Sequence, residues 1–309
     1  MKILVTGGAG FIGSHVVERL LSQGHSALVV DNFATARRDT LAGARPGLEL
    51  VEGTIADASL VDALFARFRP DVVLHCAAAY KDPDDWVEDS RTNVIGSVNV
   101  VKASRAAKVR RLIYFQTALC YGNHPHEQPV TVSHPLEPDS SYAISKTAGE
   151  RYILTSGLDV ISFRLANMYG PRNLSGPVPT FFSRLAEGKG CFAVNTRRDF
   201  LFVADLVEVV IPAVEGRGRP GVYHVSTGTD ASIRELYDAV ASAMGVNRPV
   251  EERERGADDA PTILLDPSKT AAEFGWKAVT PLRDGIAQTV AWYRTHGVGQ
   301  TYTHLRLPD

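Results

Sequence analysis

Short apolar runs occur at residues 2–5, 27–30, 48–52, 72–75, 112–115 and 160–163. Between them, apolar residues recur at helical spacing. Phe11, Ile12, Val16, Val17, Leu20 and Leu21 follow the first run, and similar patterns cover 58–68, about 85–108, and 142–156. Brief continuous apolar runs predict buried strands and the 3.6-residue period predicts amphipathic helices. Their strict alternation predicts an α/β chain built on a doubly wound parallel sheet. After Arg164 the pattern loosens into Pro- and Gly-rich sequence to about 180, followed by a helix near 180–188 and strand-like runs at 201–203 and 222–225. This predicts one large lobe over 1–165, joined by returning segments near 200–226, and a smaller, interleaved C-terminal lobe over 166–309. There is no internal repeat, low-complexity segment or long flexible linker.

Composition narrows the class. The chain has 309 residues, 44% hydrophobic, with a formal net charge of -2, enough for a large core and without the basic excess that nucleic acid binding requires. Its longest apolar stretches fall far short of the ~20 residues that cross a bilayer, and the N-terminus opens into a strand rather than a signal peptide. A soluble protein of a reducing, cytoplasmic setting is expected. Cys76, Cys120 and Cys191 are scattered and odd in number, which argues against a disulfide framework or structural zinc. His124 and His126 flank a proline with His134 nearby. A surface loop is the expectation there, and no metal site is assigned.

The glycines Gly7, Gly8, Gly10 and Gly13 fall between the first strand and the first helix. In a strand-to-helix turn, glycine permits the tight bend, close approach of backbone to a pyrophosphate, and close helix packing, while the N-H groups of the helix start hold the phosphates. The second strand ends in Asp31, near the spacing at which an acid binds a ribose hydroxyl and repels a 2'-phosphate. The pattern therefore predicts a Rossmann lobe that binds NAD. Arg37 and Arg38 are expected on a solvated helix face.

Tyr142 and Lys146 are four apart on a predicted helix and so share one face. A phenol is a weak base at neutral pH, and a neighbouring ammonium favours its anion. Thr117, after the strand at 112–115, is placed to hold a substrate hydroxyl in line with that phenol.

With these motifs the sequence resembles the extended short-chain dehydrogenase/reductase family, in its NAD-dependent nucleotide-sugar epimerase/dehydratase branch. The resemblance rests on Thr6-Gly-Gly-Ala-Gly-Phe-Ile-Gly13, Asp31-Asn32, His75-Cys-Ala-Ala78, Asn93-Val-Ile-Gly96, Thr117 before Tyr121-Gly122, and Ser140-Ser-Tyr142-Ala-Ile-Ser-Lys146. It continues through Arg164-Leu-Ala-Asn167-Met-Tyr-Gly-Pro-Arg172, Arg198-Asp-Phe200-Leu-Phe-Val-Ala-Asp205 and Asp266-Pro-Ser-Lys269. The stretch Phe115-Gln-Thr-Ala-Leu-Cys-Tyr-Gly122 is also similar to sugar epimerases of bacterial surface-polysaccharide clusters. The resemblance implies that Gly7, Gly10, Phe11, Ile12, Gly13, Asp31, Asn32, Ile55, Ala77, Tyr142 and Lys146 bind the cofactor and that Thr117, Tyr142 and Lys146 are catalytic. It implies that Asn167, Arg198 and Arg255 hold a substrate diphosphate, arginine's planar donors suiting phosphate. Arg255 also reads as part of a solvated charged run, Glu251-Glu-Arg-Glu-Arg255. Tyr80, Lys81 and Asp82 are candidates for the sugar pocket or for plain loop.

Dehydratases of the branch carry Asp-Glu after the threonine and decarboxylases Ser-Glu. Here Ala118 and Leu119 stand there, and neither exchanges a proton. The resemblance then implies C4 epimerisation of a nucleotide-diphosphate sugar, with a dehydratase, a 4-keto reductase and a non-catalytic NAD-binding regulator as alternatives. Two departures touch recognition. Thr54 replaces a customary acid facing adenine, and the segment from Cys191 to Arg198 lacks the Gly-Asp-Gly that clasps the base, so uracil is implied by the family alone. Family members pair the helices at 85–108 and 142–156 into a homodimer, with Val94, Val98, Val101 and Ala148 the candidate contacts here.

Overall fold

The computed structural model describes residues 1–42, 46–256, 260–299 and 301. Its strands are β1 (Lys2–Thr6), β2 (Ser26–Asp31), β3 (Leu48–Glu52), β4 (Val72–His75), β5 (Arg111–Thr117), β6 (Val160–Leu165), β7 (Asn167–Tyr169), β8 (Phe192–Val194), β9 (Arg197–Arg198), β10 (Phe200–Phe202), β11 (Gly221–Val225), β12 (Ala231–Ser232) and β13 (Glu251–Arg253). The α-helices are α1 (Phe11–Ser22), α2 (Ala58–Phe68), α3 (Trp86–Asp89), α4 (Ser97–Ala106), α5 (Ser141–Leu154), α6 (Pro177–Ala186), α7 (Val203–Val214), α8 (Ile233–Met244), α9 (Ser268–Phe274) and α10 (Leu282–His296).

Seven parallel strands form one sheet in the order β11-β6-β5-β4-β1-β2-β3. This is the doubly wound arrangement expected from the alternating pattern. Strand order reverses beside β1, and the registers Thr6↔Val30, Thr6↔His75 and Thr117↔Leu165 bring the carboxyl ends of the central strands to one edge, where ligands of such sheets bind. Both faces are buried because helices cover both. Val16, Val17 and Leu20 of α1 and much of α7 pack on Ile3, Val5, Ile113 and Phe163. On the other face Val61 and Phe65 of α2, Val100 of α4 and Ile153 of α5 cover Leu4, Leu28, Leu112 and Tyr114. A separate core of Phe181, Phe182, Leu236, Tyr237, Ile286 and Tyr293 holds α6, α8 and α10 together as the second lobe.

Two local readings are corrected. The single helix expected over 85–108 is α3, a π-helical turn at Ser90–Gly96, and α4. Wide turns of this kind shift which side chains face inward. Here Asn93 turns into the core, accepting the Ala79 N–H at 2.9 Å and donating to Ala79 O and Ser145 Oγ at 3.0 Å each, while Gly96 lies against Ile55. Arg37 and Arg38 lie in a loop, not on a helix. Arg37 donates to both carboxylate oxygens of Asp39 and to His296 O, and Arg38 pairs with Glu52 over the Phe33 ring.

Candidate active site

The turn between β1 and α1 is shaped by what no side chain could share. Gly7 has φ +64°, and a Cβ there would come within 2.6 Å of Ala77 N; one on Gly13 would meet Gly7 O at 2.4 Å. A Cβ on Gly10 would come within 3.2 Å of Gly7 O, itself a tight contact, so the turn favours glycine at all three positions. Gly10 begins α1 with no side-chain cap and no acid in the first turn of the helix, so the helix itself supplies no carboxylate to its own N–H groups. Asp31 is buried beside this turn, accepting Ala9 N–H and Phe33 N–H at 2.9 Å each; burial raises its carboxyl and those bonds oppose the shift. Asn32, Thr54, Ala56 and Asp57 line a cavity further out, completed by Glu88 and Arg91. Thr54 accepts the Ala56 N–H and Asp57 caps α2, so both hydroxyl and carboxylate serve the turn that carries Ile55. The Ile55 side chain itself is in the core.

Thr117 ends β5, and Tyr142 and Lys146 stand on the first turns of α5, which packs across β5 and β6. Ser140 caps this helix through Ala143 N–H. Lys146 is 2% exposed; its ammonium donates to Phe115 O at 2.7 Å and lies 4.0 Å from the centroid of Tyr114, whose hydroxyl donates to Lys146 O. Burial pulls Lys146 down to about 7, with the Cys76 and Glu150 charges opposing. Tyr142 is half-buried, its ring edge-on to Tyr80 at 6.3 Å. Burial, then Tyr80 and Asp89, raise its phenol above the ordinary value. Lys146 thus bonds the backbone of the strand that ends in Thr117. Thr117 accepts Leu119 N–H and caps a short 3-10 turn, Ala118–Tyr121. Ala118 and Cys120 are buried with Tyr121, Val130 and Leu265, and burial pushes the Cys120 thiol up to about 12.

The second lobe faces this edge through β7 and β9. Exposed Asn167 donates its N–H to Asp199 O, and Arg198 donates to Ala260 O at 2.8 Å. Arg255 lies in the exposed loop after β13, and Lys81 is exposed in the loop before α3. His124 and His126 are exposed, but His134 is buried and accepts the His126 N–H. No group of three metal-ligating side chains occurs among the described residues.

Residues 3–226 match the NAD dependent epimerase/dehydratase family model. The chain belongs to this family. It is 34% identical to a UDP-glucose 4-epimerase of Mycolicibacterium smegmatis, covering 95% of this chain and 99% of the relative. Its fold superimposes on that of the Bordetella bronchiseptica enzyme WbmH, solved with NAD+, with TM-score 0.93 and 53% identity, covering 96% and 99% of the two chains. WbmG of the same organism, solved with NAD and UDP, gives TM-score 0.90 at 49% identity, covering 98% and 97%. The residues fit the family's cofactor: the backbone of the glycine turn at the start of α1 would hold a pyrophosphate, and Asp31 at the end of β2 would hold a ribose hydroxyl. NAD, when bound, supplies a reversible hydride acceptor.

Family membership also gives meaning to two buried networks that the linear sequence hid. His75, 0% exposed, bonds Thr6 Oγ1 at 2.7 Å and Ser97 Oγ at 2.9 Å; Ser97 donates to Asn93 O, so His75 donates from Nε2 and accepts at Nδ1. Thr6 Oγ1 in turn accepts Ala77 N–H, fixing the backbone that touches Gly7. Burial holds His75 at about 3, neutral as this network requires. Glu150, one turn beyond Lys146, pairs with Arg164, which donates to Tyr121 OH; that hydroxyl bonds His224 at 2.6 Å. The Tyr121-Gly122 and Arg164 motifs carried the signal, but nothing along the chain paired them.

Proposed function

We propose that this protein inverts C4 of a nucleotide-diphosphate sugar, UDP-linked, through a transient 4-keto sugar. The observation that carries the reading is the segment after Thr117. Ala118 and Cys120 are buried and Leu119 packs against the same cluster, so the neighbours that elimination would need as acid and base are apolar or too weak to ionise. Tyr142 is left to take the proton from the 4-hydroxyl, Thr117 to orient that hydroxyl, and Lys146 to supply positive charge. The same phenol then returns the proton once the ketone has turned in the pocket, so no second redox substrate is consumed. Asn167, Arg198, Arg255 and Lys81 would hold the diphosphate and sugar, a role that the proximity of β7 and β9 to the carboxyl edge supports. Similarity to WbmG, solved with UDP, supports a uridine nucleotide.

We also infer a homodimer. Ile95, Ile144 and Tyr152 are 52%, 52% and 53% exposed on the π-turn and α5, with Trp86 and Val87 beside them. Val101, expected in that contact, packs in the protomer's own core instead. No helix among the described residues is long and apolar enough to cross a membrane.

The test incubates the protein with UDP-glucose, UDP-N-acetylglucosamine and UDP-glucuronate in turn, in D2O, following the sugar protons by NMR. A 4-epimer without solvent deuterium supports the reading. Deuterium at C5 or a stable keto-sugar would replace it with elimination.

A further inference from the structure

The cavity beyond Asp31 has a volume of about 350 Å³, within the size range of small-molecule subsites. One wall is Asn32 with the turn of Thr54, Ala56 and Asp57; the other is Glu88 of α3 and Arg91 of the π-turn. A dinucleotide with its pyrophosphate at the start of α1 and its ribose on Asp31 carries its adenine outward from α1, and this cavity adjoins Asn32 on that side. Adenine presents an amino group, which needs an acceptor, and a broad face, which needs a cover.

On the first wall the side chains already serve the local backbone. Thr54 Oγ1 accepts the Ala56 N–H at 3.2 Å, Asn32 Oδ1 the Ala34 N–H at 3.1 Å, and Asp57 Oδ1 caps α2 through the Leu60 N–H at 3.1 Å. On the second wall Thr92 Oγ1 donates to Glu88 Oε1 at 2.6 Å, which fixes the half-buried carboxylate and leaves Oε2 without a partner among the described residues. Arg91 stands three residues further on the same helical run, a spacing at which opposite charges meet. It nevertheless pairs neither with Glu88 nor with any other described residue, so an anion and a cation line one cavity with a gap between them.

We propose that Glu88 reads the adenine amino group of the cofactor and that Arg91 covers the ring. The acid absent at Thr54 is thereby supplied from across the cavity. A carboxylate accepts such a donor through a charge-assisted bond, and a planar guanidinium stacks on an aromatic face. The inference concerns the cofactor alone and holds whichever sugar reaction follows.

The test equilibrates the NAD-bearing protein with an equal mixture of NAD and nicotinamide hypoxanthine dinucleotide, which has a 6-oxo group in place of the amine. The dinucleotides retained after desalting are then separated by chromatography. The parent protein should favour NAD about tenfold, the worth of one hydrogen bond to a charged acceptor. Glu88→Gln, whose amide can turn to meet either group, should bring the ratio within about threefold, and so should Glu88→Ala. Arg91→Ala should raise the concentration needed for half occupancy several-fold with the ratio kept, because both bases present a purine face. Asp57→Asn, which still caps α2, should also keep the ratio. A parent protein that does not discriminate, a ratio unchanged in both Glu88 variants, or a ratio lost in Asp57→Asn instead overturns the proposal.

Discussion

Tyr142 and Lys146 are both perturbed toward their neutral forms by burial, and catalysis has to reverse this for the phenol. Replacing Tyr142 with Phe should keep the fold and NAD while lowering turnover by about two to four powers of ten, read by initial rates and by cofactor absorbance. His75 gives a second prediction. Its folded value of about 3 lies below its ordinary 6.5, so the unfolded chain binds more protons between those values and stability falls as pH drops through that window. Asp199, raised to about 6 from 3.8, acts oppositely: the folded state binds more protons between those values, so acidification there adds stability. Urea midpoints at pH 7.5 and pH 5 should therefore fall less in His75→Asn than in the parent protein. The spacing of Tyr142 and Lys146 was readable because a helix turn is a local ruler. Tyr114 and Phe115 reach the same site through space, and no spacing along the chain announces them.

The turn from β1 into α1 depends on contacts of its own backbone. Gly13→Ala puts a methyl 2.4 Å from Gly7 O and 2.7 Å from Gly8 Cα, both backbone atoms that cannot swing aside. Overpacking of this kind costs about 1–3 kcal/mol. If half of that falls on the cradle, NAD affinity should drop about two- to tenfold, measured by calorimetry with the fold checked by circular dichroism. The strands were legible because each is a short apolar run between polar turns. The π-turn at Ser90–Gly96 was not, since its cause is Asn93 reaching Ala79 and Ser145 and Gly96 meeting Ile55. Helix α8 did carry a signal that went unread: Ser232 and Glu235 form a capping box ahead of Leu236, Tyr237 and Val240. Helix α7 is buried nearly all round, so its apolar residues show no stripe.

At the scale of the molecule, the lobes are tied across the cofactor turn. Arg172 donates to Ser14 Oγ and pairs with Glu18 at 2.8 Å, His15 bonds Pro171 O, and Arg37 reaches His296 O at the end of α10. Arg172→Ala should weaken NAD binding several-fold, through loss of lobe alignment, with the second lobe still folded; fluorescence titration with NAD reads this. The inferred dimer predicts that Ile144→Glu, a charge in an apolar exposed patch, shifts the mass by light scattering from two copies to one. An unchanged mass would remove that assembly. The second lobe was poorly legible because its strands, β7 to β10, β12 and β13, are only two or three residues long and leave no period to read.

Strand β11 pairs with β6 and closes the sheet, yet it is made of residues that follow most of the chain. A ribosome therefore delivers six of the seven strands before the edge that shields Ile161 and Phe163 has emerged. A nascent chain stopped short of Gly221 should remain open to protease at this edge, and extension past Val225 should protect it there while Phe181 and Phe182 still await α8 and α10. Order of synthesis, rather than the boundary between lobes, then decides when this enzyme first becomes a folded object.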